Sequence, residues 1–424
     1  MRILPKSNFW KNVFTLSAGT ALAQLIPVLI SPILTRLYSP EQFGVYGLYF
    51  SCTMVLSVLI CGRYEMAILL PDRDEDRINV LMLCFLIALS ITGLLFVAVL
   101  IWKDWFTEIL NNPSIKPLLI FIPLSVFLIG IFQPLNYWAN RKKQYHQLSI
   151  SRVSRSLSAS VSGMTFGVSS LKKSGLILAD LIGQIISCFY LFHKIWKQTT
   201  QFHQFISIAE IKKAAHRYKR FPQYHVLSGL FEKASGNAPI ILLTILFSST
   251  DAGFFALALR VISAPVALVA ISIGDVFRQE ASESYSKTGN CHEIFLNTFK
   301  KLSLIGVPSF ILGFVIIKFL FIPVFGDNWK QAGFYSEIMC VMFFLQFILS
   351  PLSSMFIIAE KQHVDMINNI ILFVLCLAVF WSAKYFFNNA TLAIIFYSIV
   401  YSLKYIIEFL FSLKYSKGNT YAKQ

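Results

Sequence analysis

Charge is what this sequence has least of. Only 14% of its 424 residues are Asp, Glu, Lys or Arg, against about 25% in an ordinary soluble domain, while 56% are apolar. With a mean hydropathy of +0.64, a water-soluble enzyme of ordinary composition is excluded. Acidic residues are scarcer than basic ones, 21 against 37. The basic surplus sits in short gaps between apolar runs and not on one solvated face, which argues against nucleic acid as a partner. Cysteine is sparse and unpaired in spacing: Cys52, Cys61, Cys84, Cys188, Cys340 and Cys376 lie singly in apolar stretches, only Cys291 is in a polar loop, and there is no C-x-x-C. They read as small buried hydrophobes. No histidine has metal-ligand spacing, so neither a structural metal nor a cofactor is expected. No G-x-x-x-x-G-K-[ST] occurs, which excludes ATP hydrolysis by this chain. The Asp72-Arg73-Asp74 spacing matches that of metal-dependent glycosyltransferases, but it stands in a short connection with no nucleotide-binding domain around it and reads as a solvated loop.

Long apolar runs are what is there. They lie at roughly 13–35, 43–62, 79–101, 117–138, 149–169, 174–193, 223–247, 253–276, 299–322, 335–358, 366–386 and 391–412, each near the ~20 residues that a bilayer core demands of a helix. Arg2, Lys6 and Lys11 before Ala21-Leu22-Ala23 imitate a secretory signal, but the run continues to Leu34 and reads as a retained first helix. The expected fold is therefore all-α and integral to the membrane, with 12 transmembrane helices. The fifth run is the weakest, being Ser-rich with two arginines. Placing both termini in the cytoplasm gathers Arg63, Arg73, Arg77, Arg141, Lys142, Lys143, the 194–220 cluster, Arg278, Lys287, Lys300 and Lys301 on one face, a bias of about threefold in the sense of the positive-inside rule.

The sequence also repeats itself. Residues 34–51, LTRLYSPEQFGVYGLYFS, align with 243–260, LTILFSSTDAGFFALALR, at a constant offset of 209. Leu34/Leu243, Thr35/Thr244, Leu37/Leu246, Ser39/Ser248, Gly44/Gly253 and Leu48/Leu257 coincide, and Tyr38/Phe247 and Tyr46/Phe255 are aromatic in both. Two parallel six-helix bundles, 1–198 and 199–424, facing a central cavity are the expected architecture. Pro27 and Pro32 in the first run, and Gly236 and Pro239 in the seventh, interrupt helices at corresponding depths, as the walls of a central site would.

A charge at mid-bilayer costs roughly 2.5–3.5 kcal/mol on insertion scales, so each one needs a partner, water or a ligand. Arg152 and Arg155, one turn apart in the fifth run, are either a phosphate clamp or ordinary snorkelling side chains. Lys233 and Arg260 lie deeper and face either a cavity or an internal carboxylate, Glu232 or Asp180. Glu232 and Asp180 are also candidates for ion coupling, because a desolvated carboxylate holds its proton more tightly. Lys404 and Glu408 are spaced as a local pair, and Lys318 and Asp275 sit near span ends. No catalytic group is needed for any of this.

Several motifs in order resemble one family. They are Leu34-Thr35-Arg36-Leu37-Tyr38-Ser39-Pro40-Glu41-Gln42-Phe43-Gly44, then Arg63-Tyr64-Glu65-Met66-Ala67-Ile68, Asn140-Arg141-Lys142-Lys143-Gln144-Tyr145 leading to Ser151-Arg152, Phe221-Pro222, Asp251-Ala252-Gly253-Phe254-Phe255-Ala256-Leu257, and Val276-Phe277-Arg278-Gln279-Glu280-Ala281-Ser282. Together these resemble polysaccharide-unit flippases of the Wzx type, in the multidrug/oligosaccharidyl-lipid/polysaccharide exporter superfamily. The resemblance implies transfer of an undecaprenyl-pyrophosphate-linked oligosaccharide across the bacterial inner membrane for O-antigen or capsule, beside a polysaccharide polymerase and a chain-length regulator. It also implies cavity cations for the pyrophosphate, here Arg152, Arg155, Lys233, Arg260 and, near the outer end of the first span, Arg36. A multidrug antiporter or a lipid-linked peptidoglycan precursor flippase would share the fold, and a polytopic polysaccharide polymerase is the enzyme alternative.

Overall fold

In a computed structural model, residues 6–265 and 270–418 are described. The helices in chain order are α1 (Lys6–Leu37), α2 (Pro40–Leu56), α3 (Asp74–Ile109), α4 (Phe121–Arg141), α5 (Tyr145–Gly167), α6 (Gly175–Thr199), α7 (Ile208–Arg217), α8 (Val226–Leu246), α9 (Ser249–Pro265), α10 (Ile271–Thr288), α11 (His292–Phe325), α12 (Lys330–Leu349), α13 (Met355–Ile358), α14 (Gln362–Ser382) and α15 (Ala390–Ser416). No strand occurs among the described residues. The side chains of Arg2, Lys6, Lys11 and Asp275, and residues 266–269 of the eighth apolar run, lie outside the described part.

Among the described residues eight segments are long and apolar enough to cross a membrane, and the chain is a multi-pass membrane protein. Four of the twelve runs, α2, α5, α8 and α9, are not among them. The described part of α9 ends at Pro265. At 17 residues, α2 reaches only about 25 Å. Seven serines and two arginines interrupt α5, and Glu232, Lys233 and Asn237 interrupt α8. These four helices meet across the molecule or wall its cavity, where no acyl chain has to be matched. By contrast, α3 and α11 expose long apolar faces, including Leu94, Ile101, Leu304 and Phe319, as lipid-facing helices do.

The contacts fall into two sets. In one, α5 packs on α1 and α6, and α4 on α3 and α6; in the other, α12 packs on α9, α11 and α15, and α14 on α8 and α15. Each set has its own apolar core, one centred on Leu48, Ile78, Val126 and Trp138, the other on Leu243, Phe255, Phe347 and Phe380. The sets meet chiefly along α2, against α9 and α8.

At the start of α2 and α9 the repeat explains itself. A Cβ on Gly44 would collide with the Ser249 carbonyl oxygen, and one on Gly253 with the Pro40 carbonyl oxygen. The two glycines shared at the 209 offset therefore seat against each other's helix start, reciprocally, where only a missing side chain permits backbone contact. Around this seam Phe43 packs edge-on to Trp329 at 4.8 Å, and the Trp329 indole N–H donates to the Thr35 carbonyl at 2.9 Å.

Two features were not legible from the runs. Residues 208–217, expected as open connection, form the amphipathic α7, whose Ile211 and Ala214 are buried against α3 while Lys212, Lys213 and Arg217 face out. In the eighth run α9 is described as far as Pro265, and α10 carries helix past the last apolar residues to Thr288, where Gly289 at φ 68° ends it.

Candidate functional site

The interruption of α1 starts the site. Pro27 has no N–H, so the carbonyl of Ala23 loses its helical donor. The Ser156 hydroxyl of α5 supplies the missing hydrogen bond, donating to the Ala23 carbonyl at 2.6 Å. Further along, the Ser31 hydroxyl donates to the Pro27 carbonyl at 2.6 Å. In the second half Pro239 frees the carbonyl of Ser235, which accepts from the Tyr401 hydroxyl at 3.1 Å. The serines of α5 thus have a purpose: small side chains let it wedge between α1 and α6, and their hydroxyls repair the neighbours. A Cβ on Gly19 would collide with Ser149, and one on Gly183 would lie 2.7 Å from the Arg155 carbonyl oxygen.

Beside this wedge lies a cavity of about 190 Å³ bordered by Pro27 and Leu34 of α1, Tyr46 of α2, Arg155, Ser156 and Ser160 of α5, Asp180 of α6 and Arg260 of α9. Two guanidinium groups from opposite halves and one carboxylate share it. Arg155 Nη2 is 3.3 Å from Asp180 Oδ1, and Asp180 Oδ2 accepts from Gln184 Nε2 at 2.9 Å. Asp180 is only 9% exposed at its side chain, against 31% for Arg155. Arg260 stacks its guanidinium 5.7 Å from the centroid of Phe43 and has no ion pair among the described residues. The cavity therefore carries one cation more than its carboxylate neutralises, which favours an anion.

The other candidates are placed elsewhere. Arg152, one turn away on α5, donates from Nη1 to Thr20 Oγ1 on α1 at 2.6 Å and does not border the cavity. Arg36 is exposed, its Nη2 3.5 Å from the Pro323 carbonyl. Lys233 and Glu232 pair with each other at 3.9 Å on α8, with side chains 46% and 64% exposed. Lys404 and Glu408 form the local pair their spacing implies, at 3.1 Å. All seven cysteines are free, and no cluster of metal-ligating side chains occurs among the described residues.

Sequence reasoning passed over Tyr46, Ser156 and Ser160. Tyr46 was visible as an aromatic repeated at 255, but its place in the cavity needed the fold. It also passed over a polar corner just beyond the far end of α2. There Gly62 and Arg63 both adopt left-handed backbone, at φ 55° and 63°. The Arg63 guanidinium presses on the backbone of Gly229 in α8 and lies 3.9 Å from the buried Glu65 carboxylate. Arg63 Nε and Glu65 Oε2 lack hydrogen-bond partners, and burial pushes the Glu65 carboxyl above its ordinary range, more than Arg63 pulls it down. The Tyr64 hydroxyl donates to the Ala215 carbonyl of α7 at 3.0 Å.

A helical membrane protein with a charged cavity between two helix sets defines a transporter-like class, and comparisons with known proteins narrow it. Residues 33–334 match the family described as polysaccharide biosynthesis protein, and the chain belongs to that family. It is 21% identical over 368 residues to the lipopolysaccharide biosynthesis protein WzxC of Escherichia coli (strain K12), covering 84% of this chain and 70% of that one. The resemblance to Wzx-type flippases drawn from the motifs thus holds. Its fold is similar to the lipid II flippase MurJ in an inward closed conformation, with TM-score 0.76, 13% identity, and 94% and 87% of the two chains covered. It is also similar to an inward-facing multidrug resistance MATE family transporter of the MOP superfamily, at 0.73 and 15% identity over 93% of each chain. An outward-facing MATE family transporter gives 0.59, at 13% identity, over 95% and 94%. The solved structures among these are a lipid flippase and multidrug transporters.

Proposed function

We propose that this protein is a flippase that carries undecaprenyl-pyrophosphate-linked oligosaccharide repeat units across the bacterial inner membrane, for O-antigen or capsular polysaccharide, by alternating access. The observation that carries this reading is the meeting of Arg155 and Arg260, from opposite halves, in one cavity with Asp180 as the sole carboxylate on its border. A glycan diphosphate cannot cross hydrocarbon unaided, since each unsatisfied polar group costs several kcal/mol. Guanidinium forks suit phosphate oxygens, and the lipid tail stays in the bilayer throughout.

In this reading the twelve helical runs form two six-helix bundles, with α7 leaning on the first, both termini cytoplasmic, and the Gly44/Gly253 seam on the outer side. Asp180 holds Arg155 while the cavity is empty. When the pyrophosphate arrives it takes both arginines, and the freed carboxylate is the ion-coupling candidate. Arg152 and Arg36 extend the cationic path along α5 and α1, and the exposed Lys233 and Glu232 pair stands on α8. A polymerase and a chain-length regulator are the downstream partners. Replacing Arg155 or Arg260 with Ala is expected to abolish surface polysaccharide at unchanged membrane level. Wild-type polysaccharide in both variants would overturn the reading.

A further inference from the structure

Beside the Gly44/Gly253 seam, on the second half, lies a basin of about 440 Å³. The turn after α8 contributes Phe247, the first turn of α9 Asp251, the start of α12 Gln331 and Tyr335, and the connection from α14 to α15 Lys384 and Asn388. The carboxylate in it is already engaged. Asp251 Oδ1 accepts from the Tyr335 hydroxyl at 2.9 Å, and Oδ2 accepts from the Ser248 hydroxyl at 2.6 Å. The ammonium makes no direct ion pair among the described residues: Lys384 Nζ donates to Asn388 Oδ1 at 2.8 Å and rests 5.4 Å from the Phe247 ring centroid. Asn388 adopts left-handed backbone at φ 46°. Gln331 gives its Nε2 donor to Thr391 at 3.2 Å and keeps its carbonyl oxygen for an incoming group.

On the first half, Gln42 at the start of α2, Ser114 before α4 and Lys173 between α5 and α6 border a cavity at the corresponding three points of the fold, but there Glu41 shares the cavity with the lysine and Val45, Leu118, Phe121 and Leu171 make the lining largely apolar. The polar lysine basin is a feature of the second half.

We infer that the second-half basin is a docking site for an acidic saccharide. Side-chain amides and a hydroxyl give and take hydrogen bonds with sugar hydroxyls, and the held ammonium takes a sugar carboxylate by a charge-assisted bond. The volume is in the range of small-ligand pockets and exceeds what a bare anion would fill. The inference takes its biological sense from the flippase reading, as a place where the glycan rests at the outer mouth. Its test reads binding and not transport, so the two can fail separately.

The probes are sodium glucuronate, glucose and sodium acetate, titrated onto the full chain in nanodiscs and followed by saturation-transfer NMR. Glucuronate is expected to bind, with glucose and acetate each at least about tenfold weaker, and Lys384→Gln is expected to lose about tenfold for glucuronate alone. Lys384→Arg should retain it, which separates lost charge from lost folding. Arg155→Ala and Arg260→Ala should leave glucuronate binding intact while transport falls. Equal binding of acetate would reduce the basin to a plain anion site, equal binding of glucose would remove the role of the charge, and unchanged affinity in Lys384→Gln would place the sugar elsewhere. Any of the three overturns the inference.

Discussion

The two ends of α2 hold the halves together by opposite chemistry. At its start, Gly44 and Gly253 bring backbone against backbone in a dry seam flanked by Phe43 and Trp329. At its far end, a left-handed Arg63 reaches Gly229 beside a buried, under-bonded Glu65. A seam made of close backbone contact tolerates nothing added, whereas a corner made of one long side chain can move at the cost of a few rotamers. A left-handed non-glycine residue costs of order 1–3 kcal/mol, and such strain gathers where structure switches. The contrast fits a molecule that is firm at one end and readily released at the other.

The largest effect is expected from Gly44→Val or Gly253→Val. The added side chain meets a carbonyl oxygen that belongs to the opposite helix start, and overpacking of this kind costs about 1–3 kcal/mol or more. Surface polysaccharide should fall to background, and a cysteine placed at Gln42 should become more reactive to a membrane-impermeant thiol reagent; unchanged reactivity would remove the seam from the account. Next in size is Ser156→Ala, which leaves the Ala23 carbonyl in α1 without a donor. About 1–3 kcal/mol is expected for a buried acceptor so orphaned, read as a lower melting temperature in detergent. Gly229→Ala should do less, because the group it meets is the tip of Arg63 and not backbone; transport should drop a few-fold with little change in melting temperature. A defect as large as that of Gly44→Val would erase the distinction between the two ends.

The smallest effect carries a sign. The Glu65 carboxyl titrates above its unfolded value, so ionised Glu65 weakens the fold once pH exceeds the folded value, and that penalty disappears as pH falls below the unfolded one. Glu65→Gln is therefore expected to melt slightly higher than wild type at pH 7.5, with the gap closing below about pH 5. A lower melting temperature at pH 7.5 would mean that the Arg63 contact outweighs the burial.

Much of this was legible in the residues, and what was not has physical causes. Apolar runs gave the membrane helices because lipid demands length and low polarity together. The Gly44/Gly253 match marked the backbone seam between α2 and α9, since a shared glycine at a turn is hard to reach by chance among apolar residues. Among the charges, Arg155, Asp180 and Arg260 are separated by up to 105 residues, and only the wedge of α5 between α1 and α6 together with the packing of α9 on α2 brings them to one cavity. Lys233 read as deep because it lies within an apolar stretch, yet α8 turns it outward next to Glu232. The Arg63 corner left no mark in hydropathy at all, because left-handed backbone at a non-glycine residue is imposed by tertiary contact and not by local preference.

The central claim is that Arg155 and Arg260 together receive a pyrophosphate. Binding of undecaprenyl pyrophosphate to the full chain in nanodiscs, measured by native mass spectrometry for wild type, Arg155→Ala, Arg260→Ala and the double variant, tests it most directly. Each single change is expected to weaken binding about tenfold or more, as loss of a charge-assisted contact should, with the double variant falling to background. Wild-type affinity in the double variant would contradict the account.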